Sequence, residues 1–260
     1  MAPDEHDVAP DGAPDDHAVA GLLAREAGDV LLELRGRSLA EGMSGWRLQS
    51  LGDRAAHDHL VGRLAELRPG DAVLSEEGAD DRSRLSAERT WIIDPLDGTQ
   101  DYPRVGSAEW AVHVALVIDG RPVAGAVSVP ANGGLYGTLQ SPLPAAPPSR
   151  RERPIVVTSR SQWGHAEDVA AALGGEVLAF GSAGAKAMAV VSGAADVYVH
   201  PSGLYEWDVC APAAVAAAAG FDVTGVDGSE LVYNKARPVV PGLLISRPEY
   251  TERARAALRW

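Results

Sequence analysis

The chain has 260 residues, of which 46% are hydrophobic and 23% are charged, and its formal net charge is −13. A chain of this length can bury a large core without help from disulfides or a structural metal. It holds a single cysteine, Cys210, so an intrachain disulfide and a cysteine-based zinc site are both excluded. The negative charge argues against a nucleic-acid polymer or an anionic membrane as partner. We expect a single globular, cytoplasmic protein.

Residues 1–18 are rich in Asp, Pro and Ala and have neither a basic start nor an apolar run. They lack the features of a signal peptide, and we predict a disordered acidic tail outside the fold. Apolar residues at helical spacing then predict a first helix over 19–35 and a second over 53–67. A short strand is predicted at 72–74, and a buried strand at 90–93 runs into a turn.

A hairpin is the next predicted element, with strands over 110–118 and 122–129 joined by Asp119-Gly120. The clearest shift in composition follows at 141–154, a segment rich in Pro, Ser and Arg. Such a segment is typical of a connection between two regions of a chain. We place the domain boundary there.

Beyond this boundary, apolar strands alternate with helices. The predicted elements are strands at 155–158, 177–179, 197–199 and 242–246 and helices at 166–173, 183–191, 211–219 and 248–258. This alternation is typical of an α/β fold. We therefore predict an α+β region over 19–140 and an α/β region over 150–260.

The densest chemistry lies in one segment, Trp91-Ile92-Ile93-Asp94-Pro95-Leu96-Asp97-Gly98-Thr99, which is preceded by Ser75-Glu76-Glu77. Each piece alone is typical of an ordinary turn or of the first turn of a helix. Together, they bring two carboxylates three residues apart into a turn after a buried strand. Carboxylates and a free carbonyl form the hard-oxygen site that Mg²⁺ prefers. Gly98 and Thr99 are predicted to open a helix whose N–H groups would bind an anion at the same place.

These residues resemble the W-x-[IV]-D-P-[IL]-D-G-T signature of the inositol monophosphatase family, whose members are Mg²⁺-dependent, lithium-sensitive phosphatases. The resemblance extends over nearly the whole chain. It implies a layered αβαβα sugar-phosphatase fold and hydrolysis of a phosphate monoester with two or three Mg²⁺ ions and no covalent intermediate. It also implies the metal ligands, which are the carboxylates of Glu76, Asp94, Asp97 and Asp208 and the backbone carbonyl of Leu96.

Two of the implied residues also have an ordinary structural interpretation. Asp208 belongs to a Trp-Asp pair before the Ala-rich helix, and Asp53 precedes Glu76 at a spacing similar to that of the family's water-activating aspartate. Either residue could instead be a helix N-cap. By the resemblance, Thr99 is oriented by Asp53 and positions and deprotonates the attacking water, while the N–H groups of Gly98 and Thr99 hold the phosphate.

Two weaker resemblances concern the substrate. The segment Gly181-Ser182-Ala183-Gly184-Ala185-Lys186 lacks the ending of a nucleoside-triphosphate loop. It resembles the G-S-x-x-x-K turn of the 3′(2′),5′-bisphosphate nucleotidase branch, and Thr158-Ser159-Arg160-Ser161 resembles that branch's V-S-R-S segment. Surface or capping roles for Arg160 and Lys186 remain open. The predicted substrate contacts are Gly98, Thr99, Ser159, Arg160, Ser182, Lys186 and Glu206.

The sequence thus predicts an enzyme that removes the 3′-phosphate of adenosine 3′,5′-bisphosphate to give AMP, which would connect it to sulfate assimilation. Gln100 and Gln162 replace a basic residue and a histidine of the branch pattern, so inositol 1-phosphate, fructose 1,6-bisphosphate or another nucleotide remains an alternative substrate. A metal-bound regulatory protein is the alternative outside the enzyme class. We expect a monomer or homodimer acting on a small phosphorylated substrate. His113 is predicted to be an interior histidine whose hydrogen-bonding groups are satisfied within the fold.

Overall fold

The computed structural model describes residues 15–138, 149 and 151–258. Within this part of the chain, helices form three layers that alternate with two sheets. The helices are α1 (Asp16–Ala40), α2 (Trp46–Leu67), α3 (Trp163–Leu173), α4 (Ala183–Val191), α5 (Glu206–Ala218) and α6 (Pro248–Ala257). None of them combines the length and the apolar character that a membrane span requires.

The strands of the described residues form two five-stranded sheets and one small ribbon. In chain order they are β1 (Ala72–Ser75), β2 (Arg89–Asp97), β3 (Ala111–Ile118), β4 (Arg121–Val129), β5 (Gly134–Gly137), β6 (Ile155–Thr158), β7 (Glu176–Ala179), β8 (Val197–His200), β9 (Leu204–Tyr205), β10 (Asp222–Thr224), β11 (Val239–Val240) and β12 (Leu243–Ser246). The first sheet has the order β1-β2-β3-β4-β5, and only β1 and β2 are parallel in it. The second has the order β10-β12-β8-β6-β7, with β6 parallel to β7 and β8. Strands β9 and β11 form the ribbon.

Three buried clusters hold the layers together. Helices α1 and α2 pack on the first sheet around Trp91, whereas α4 and α5 fill the space between the sheets and contact Ile92 and Tyr198. Helices α3 and α6 cover the outer face of the second sheet around Val156. The fold therefore has the αβαβα layers that the resemblance implied, and both halves of the chain contribute to the middle cluster.

Strand β2 is buried on both faces, which explains its continuous apolar run. Trp91 and Ile92 point into different clusters because successive side chains in a strand face opposite sides. The strand extends to Asp97, well beyond the predicted end at 93, and its register with β3 shifts between Asp94 and Asp97. A bulge of this kind redirects side chains at the end of a strand. It brings both carboxylates into the interior.

The predicted hairpin is confirmed, with β3 and β4 joined by Asp119-Gly120. Both turn residues have positive φ, 49° for Asp119 and 73° for Gly120. This conformation matches the right-handed twist of the strands, and Asp-Gly is among the dipeptides that adopt it most readily. The helix predicted at 183–191 and the strand predicted at 155–158 are confirmed with the same bounds.

Other predicted boundaries were wrong. Helix α1 begins at Asp16, where Asp15 accepts a hydrogen bond from the N–H of Ala18 at 2.7 Å, so residues 16–18 are not part of a tail. Helix α2 begins at Trp46, which places Asp53 inside the helix and rules out its N-cap role. The remaining tail residues and most of the predicted boundary at 141–154 lie outside the described residues.

The helix predicted to begin at Gly98 is absent, and residues 98–103 form consecutive turns instead. The N–H groups of Asp101 and Tyr102 both donate to the carbonyl of Gly98. Tyr102 is fully buried, and its hydroxyl donates to the carbonyl of Leu31 at 2.7 Å. This long-range contact fixes the chain in turns that the local sequence did not predict.

Candidate active site

Three carboxylates meet at the end of β2. Asp94 and Asp97 come from the strand, Asp208 comes from the first turn of α5, and one oxygen of each lies within 4.8 Å of the others. Asp94 is only 1% exposed, and its Oδ2 has no hydrogen-bond partner. A buried carboxylate without a partner is unfavourable unless a cation neutralises it. The three side chains therefore fit a divalent cation.

Glu76 and the carbonyl of Leu96 lie beside this cluster. Because β1 is parallel to β2 with Ser75 opposite Ile93, the next residues, Glu76 and Asp94, leave the pair at the same edge of the sheet. The Glu76 N–H donates to the carbonyl of Ile93 at 3.4 Å. The Oδ1 of Asp94 accepts the Leu96 N–H at 3.0 Å and shapes the turn that carries the Leu96 carbonyl. All five predicted ligands thus belong to one region.

Most of these carboxylates have raised pKa values. Burial, together with the charge of Asp208, raises the pKa of Glu76 to about 7. Burial and the charge of Asp97 raise the pKa of Asp208 to about 6. The pKa of Asp94 lies well above its usual value because of burial and the surrounding carboxylates. A bound divalent cation would favour the charged forms and reverse these shifts.

Asp97 differs because its charge is stabilised by donors. Its Oδ2 accepts the hydroxyl of Ser182 at 2.5 Å and the N–H of Gly184 at 2.7 Å, at the N-terminus of α4. Burial alone would raise the pKa of Asp97, but His113, Lys186 and Ser182 hold it below its usual value. Asp97 is therefore anionic and fixed in orientation before any cation binds.

His113 is interior, as predicted, but it also contacts the ligand Asp97 and the residue before Asp208, which the sequence interpretation did not foresee. It is fully buried, with Nδ1 3.0 Å from the carbonyl oxygen of Trp207 and Nε2 3.2 Å from Oδ2 of Asp97. Trp207 directly precedes Asp208. The strand register places His113 opposite Asp94, so the pairing of the two predicted strands was the signal that could have revealed it.

Asp53 and Thr99 lie next to each other, as the resemblance implied. The Oγ1 of Thr99 is 3.5 Å from Oδ1 of Asp53 and donates to the Leu96 carbonyl at 2.9 Å. Helix α2 can approach this closely because Gly52 lacks a Cβ, which would lie 2.7 Å from the ring of Tyr102. Burial, followed by the charge of Glu77, raises the pKa of Asp53 to about 7.

A crevice of about 580 Å³ opens in front of these groups. Gly98, which has a φ of 86°, forms part of its wall, and a Cβ there would lie 2.4 Å from the carbonyl oxygen of Glu109. The conformation and the close approach both require glycine. The predicted site residues that line the crevice are Asp97, Gly98, Thr99, Ser159, Arg160, Ser182, Lys186 and Asp208.

Two predicted substrate contacts need correction. Glu206 is fully buried, and its carboxylate accepts the N–H groups of Asn234 at 2.6 Å and Lys235 at 3.1 Å. Lys186 is 2% exposed, and its ammonium donates to three backbone carbonyls of residues 180–182. Burial lowers the pKa of Lys186 to about 8. Glu206 anchors a loop and Lys186 holds the 180–182 turn, so neither offers a free group to the substrate.

Comparison with known proteins agrees with this geometry. The sequence profile of the inositol monophosphatase family matches residues 16–259. The chain belongs to the inositol monophosphatase family. Its layered fold, its acidic cluster and the order of its motifs are those that membership implies.

Several known proteins are similar to this chain over most of its length. The chain is 42% identical to the 3′-phosphoadenosine 5′-phosphate phosphatase of Mycobacterium leprae, over 90% of both chains. It is 30% identical to the 3′(2′),5′-bisphosphate nucleotidase CysQ of Escherichia coli K12, over 86% of this chain and 96% of the relative. The crystal structure of CysQ from Bacteroides thetaiotaomicron superposes with a TM-score of 0.70 and 28% identity, covering 89% of this chain and 96% of that one.

Proposed function

We propose that this chain is a 3′-phosphoadenosine 5′-phosphate phosphatase, which cleaves the 3′-phosphate of adenosine 3′,5′-bisphosphate and leaves AMP. The observation that carries the proposal is the identity of 42% over 90% of both chains with a relative of that name. The crevice supports it, because Arg160 and the 180–182 turn line it together with Asp97 and Asp208 of the acidic cluster. One phosphate can therefore face the cluster while a second faces the guanidinium.

The chain's own residues account for binding and water activation. Glu76, Asp94, Asp97, Asp208 and the Leu96 carbonyl would hold two or three Mg²⁺ ions. These would neutralise the phosphate and lower the pKa of water. The turn at Gly98 and Thr99 presents backbone N–H groups to the phosphate. Thr99 positions the attacking water, and Asp53, whose pKa is raised, is placed to receive its proton.

Phosphate release from four esters tests the assignment. With Mg²⁺, adenosine 3′,5′-bisphosphate should have a higher kcat/KM than adenosine 3′-monophosphate, inositol 1-phosphate or fructose 1,6-bisphosphate, and EDTA should abolish turnover. A preference for inositol 1-phosphate or fructose 1,6-bisphosphate would contradict the proposed substrate but not the proposed metal site. No turnover of any ester would favour the regulatory alternative. We expect Li⁺ to inhibit at concentrations at which K⁺ does not.

We also propose that the protein acts in the cytoplasm as a monomer or homodimer, with 19–140 and 150–260 on the two sides of the crevice. The site supports this division, because Asp94 comes from the first region and Asp208 from the second. Light scattering during size-exclusion chromatography measures the oligomeric state. A particle larger than a dimer would contradict that part of the proposal.

A further inference from the structure

Glu109 occupies the donors that a second phosphate group would use. Its Oε2 accepts the N–H of Gly181 at 2.6 Å and is bonded by the Nη2 of Arg160. A guanidinium and a backbone N–H that converge on one oxygen form a donor set typical of phosphate and carboxylate recognition. Arg160 and Gly181 both line the crevice, as do Asp97 and Asp208 of the acidic cluster.

A second carboxylate, that of Asp101, also contacts Arg160 but is fixed in place. Its Oδ2 lies 3.3 Å from the Nη1 of Arg160, and its Oδ1 accepts a hydrogen bond from Arg104 at 2.5 Å. The side chain of Asp101 is 5% exposed, whereas that of Glu109 is 33% exposed. Glu109 can therefore move towards solvent, while Asp101 remains and keeps Arg160 oriented.

We propose that Glu109 is a placeholder carboxylate, which binds Arg160 and the Gly181 N–H until the substrate's second phosphate displaces it. The inference rests on the proposed function, because it assigns the second phosphate of the bisphosphate to these two donors. An incoming phosphate and the Glu109 carboxylate carry like charges and compete for the same N–H groups. Glu109 therefore weakens binding of the bisphosphate and reduces the preference for it over a monophosphate.

A purely structural ion pair would behave in the opposite way. If Glu109 served only to orient Arg160, its removal would leave the guanidinium less ordered and would weaken binding of the second phosphate. Displacement instead predicts tighter binding when the competing charge is removed. The sign of the change in affinity therefore separates the two roles.

The test is Glu109→Gln, which removes the charge but keeps the length and an acceptor. We expect the KM for adenosine 3′,5′-bisphosphate to fall relative to that for adenosine 3′-monophosphate, by about three- to tenfold for a partly exposed charge interaction. The matched control is Glu176→Gln. Glu176 forms a comparable exposed ion pair with Arg153 at 2.6 Å on β7 and does not line the crevice. The control variant should leave the KM for adenosine 3′,5′-bisphosphate and the KM for adenosine 3′-monophosphate unchanged.

An unchanged or higher ratio of the KM for adenosine 3′,5′-bisphosphate to the KM for adenosine 3′-monophosphate in Glu109→Gln would overturn the inference.

A second measurement does not depend on which ester is hydrolysed. In EDTA the acidic cluster repels phosphate, so AMP should bind the metal-free protein through its phosphate at Arg160. Calorimetry should give a lower Kd for AMP with Glu109→Gln than with the wild type. An equal or higher Kd would overturn the placeholder role, whereas a wild type without preference for the bisphosphate would contradict only the proposed function.

Discussion

Asp94 is surrounded by carboxylates and has no donor for its Oδ2, so its charged form is stabilised only when a cation is bound. We predict that Asp94→Asn abolishes turnover even at saturating Mg²⁺, because a ligand charge in the middle of the cluster is lost. In EDTA the variant should be at least as stable as the wild type, since a buried carboxylate surrounded by other carboxylates is replaced by a neutral amide. Phosphate release and thermal unfolding measure the two effects. Activity within about tenfold of the wild type would contradict the assigned role.

The hydrogen-bond partners of Lys186 in the structure change the role that the sequence suggested for it. The sequence suggested a phosphate contact, for which Lys186→Ala would impair the reaction of the bisphosphate much more than that of a monophosphate. The structure gives its ammonium three carbonyl acceptors in residues 180–182 and a charge interaction with Asp97. The same turn carries the Gly181 N–H. The lysine therefore supports the turn and the metal ligand together.

We predict that Lys186→Met lowers kcat/KM for adenosine 3′,5′-bisphosphate and for adenosine 3′-monophosphate by similar factors. It should also lower the free energy of unfolding by roughly 2 to 4 kcal/mol, because buried carbonyls lose a charged donor. Steady-state kinetics and denaturant unfolding give both quantities. The control is Lys235→Met, at the chain's other lysine, which is 34% exposed. A loss of kcat/KM confined to adenosine 3′,5′-bisphosphate would instead support the sequence-based interpretation, in which Lys186 contacts the second phosphate.

At the scale of elements, helix α4 and strand β3 approach each other closely beside the metal ligands. A Cβ on Gly184 would lie 2.1 Å from Nε2 of His113 and 3.0 Å from the Cβ of Ala111. The glycine lets the N-terminus of α4 reach Asp97 while His113 contacts the same carboxylate. Two elements and one side chain therefore share a space that only glycine leaves open.

Gly184→Ala tests this packing without changing any ligand. The new methyl group should displace His113 from Asp97, raise the Mg²⁺ concentration for half-maximal activity and destabilise the fold by about 1 to 3 kcal/mol. Gly62→Ala is the control, because Gly62 lies in α2 with open space around it, and it should stabilise by about 0.5 to 1 kcal/mol. Calorimetric titration with Mg²⁺ provides a readout besides activity. Unchanged Mg²⁺ affinity would show that the contact is irrelevant to the site.

For the whole molecule, the acidic cluster makes metal-free stability depend on pH. Burial and mutual repulsion raise the pKa of Glu76 from 4.5 to about 7 and the pKa of Asp208 from 3.8 to about 6. Between about pH 4 and pH 7 the folded state therefore binds more protons than the unfolded state. The free energy of unfolding should fall as pH rises through this window and should be restored by a cation.

Thermal unfolding in EDTA should thus show a lower Tm near pH 8 than near pH 5, and Mg²⁺ should raise the Tm more near pH 8. Asp97 does not oppose the trend in this range, because its pKa is lowered and it stays ionised. Asp94→Asn is the matched control and should show a weaker pH dependence. A Mg²⁺ effect of equal size at both pH values would argue against a cluster that is repulsive without metal.

The elements around the site show which structural predictions from the sequence were correct and which were not. The buried strand at 90–93 and the Asp119-Gly120 hairpin were predictable, because periodicity and turn chemistry depend on residues close together in the chain. The extension of this strand to Asp97 was not predicted. The turns after Gly98 were not predictable, since a buried contact between Tyr102 and Leu31 holds them. The start of α5 at Glu206 was missed for a similar reason, because the loop at Asn234 and Lys235 anchors it.

The sequence by itself determined the α/β elements and, through the family resemblance, the residues that could bind metal, because strand and helix patterns and family motifs depend on local spacing and residue type. Tertiary structure alone decided what the charged side chains contact. Glu109 reaches the N–H of Gly181 across 72 positions, and His113 reaches Trp207 across 94. Burial and hydrogen-bond partners arise only when distant elements pack, and they determine whether a charge binds substrate, orients a ligand or supports a turn.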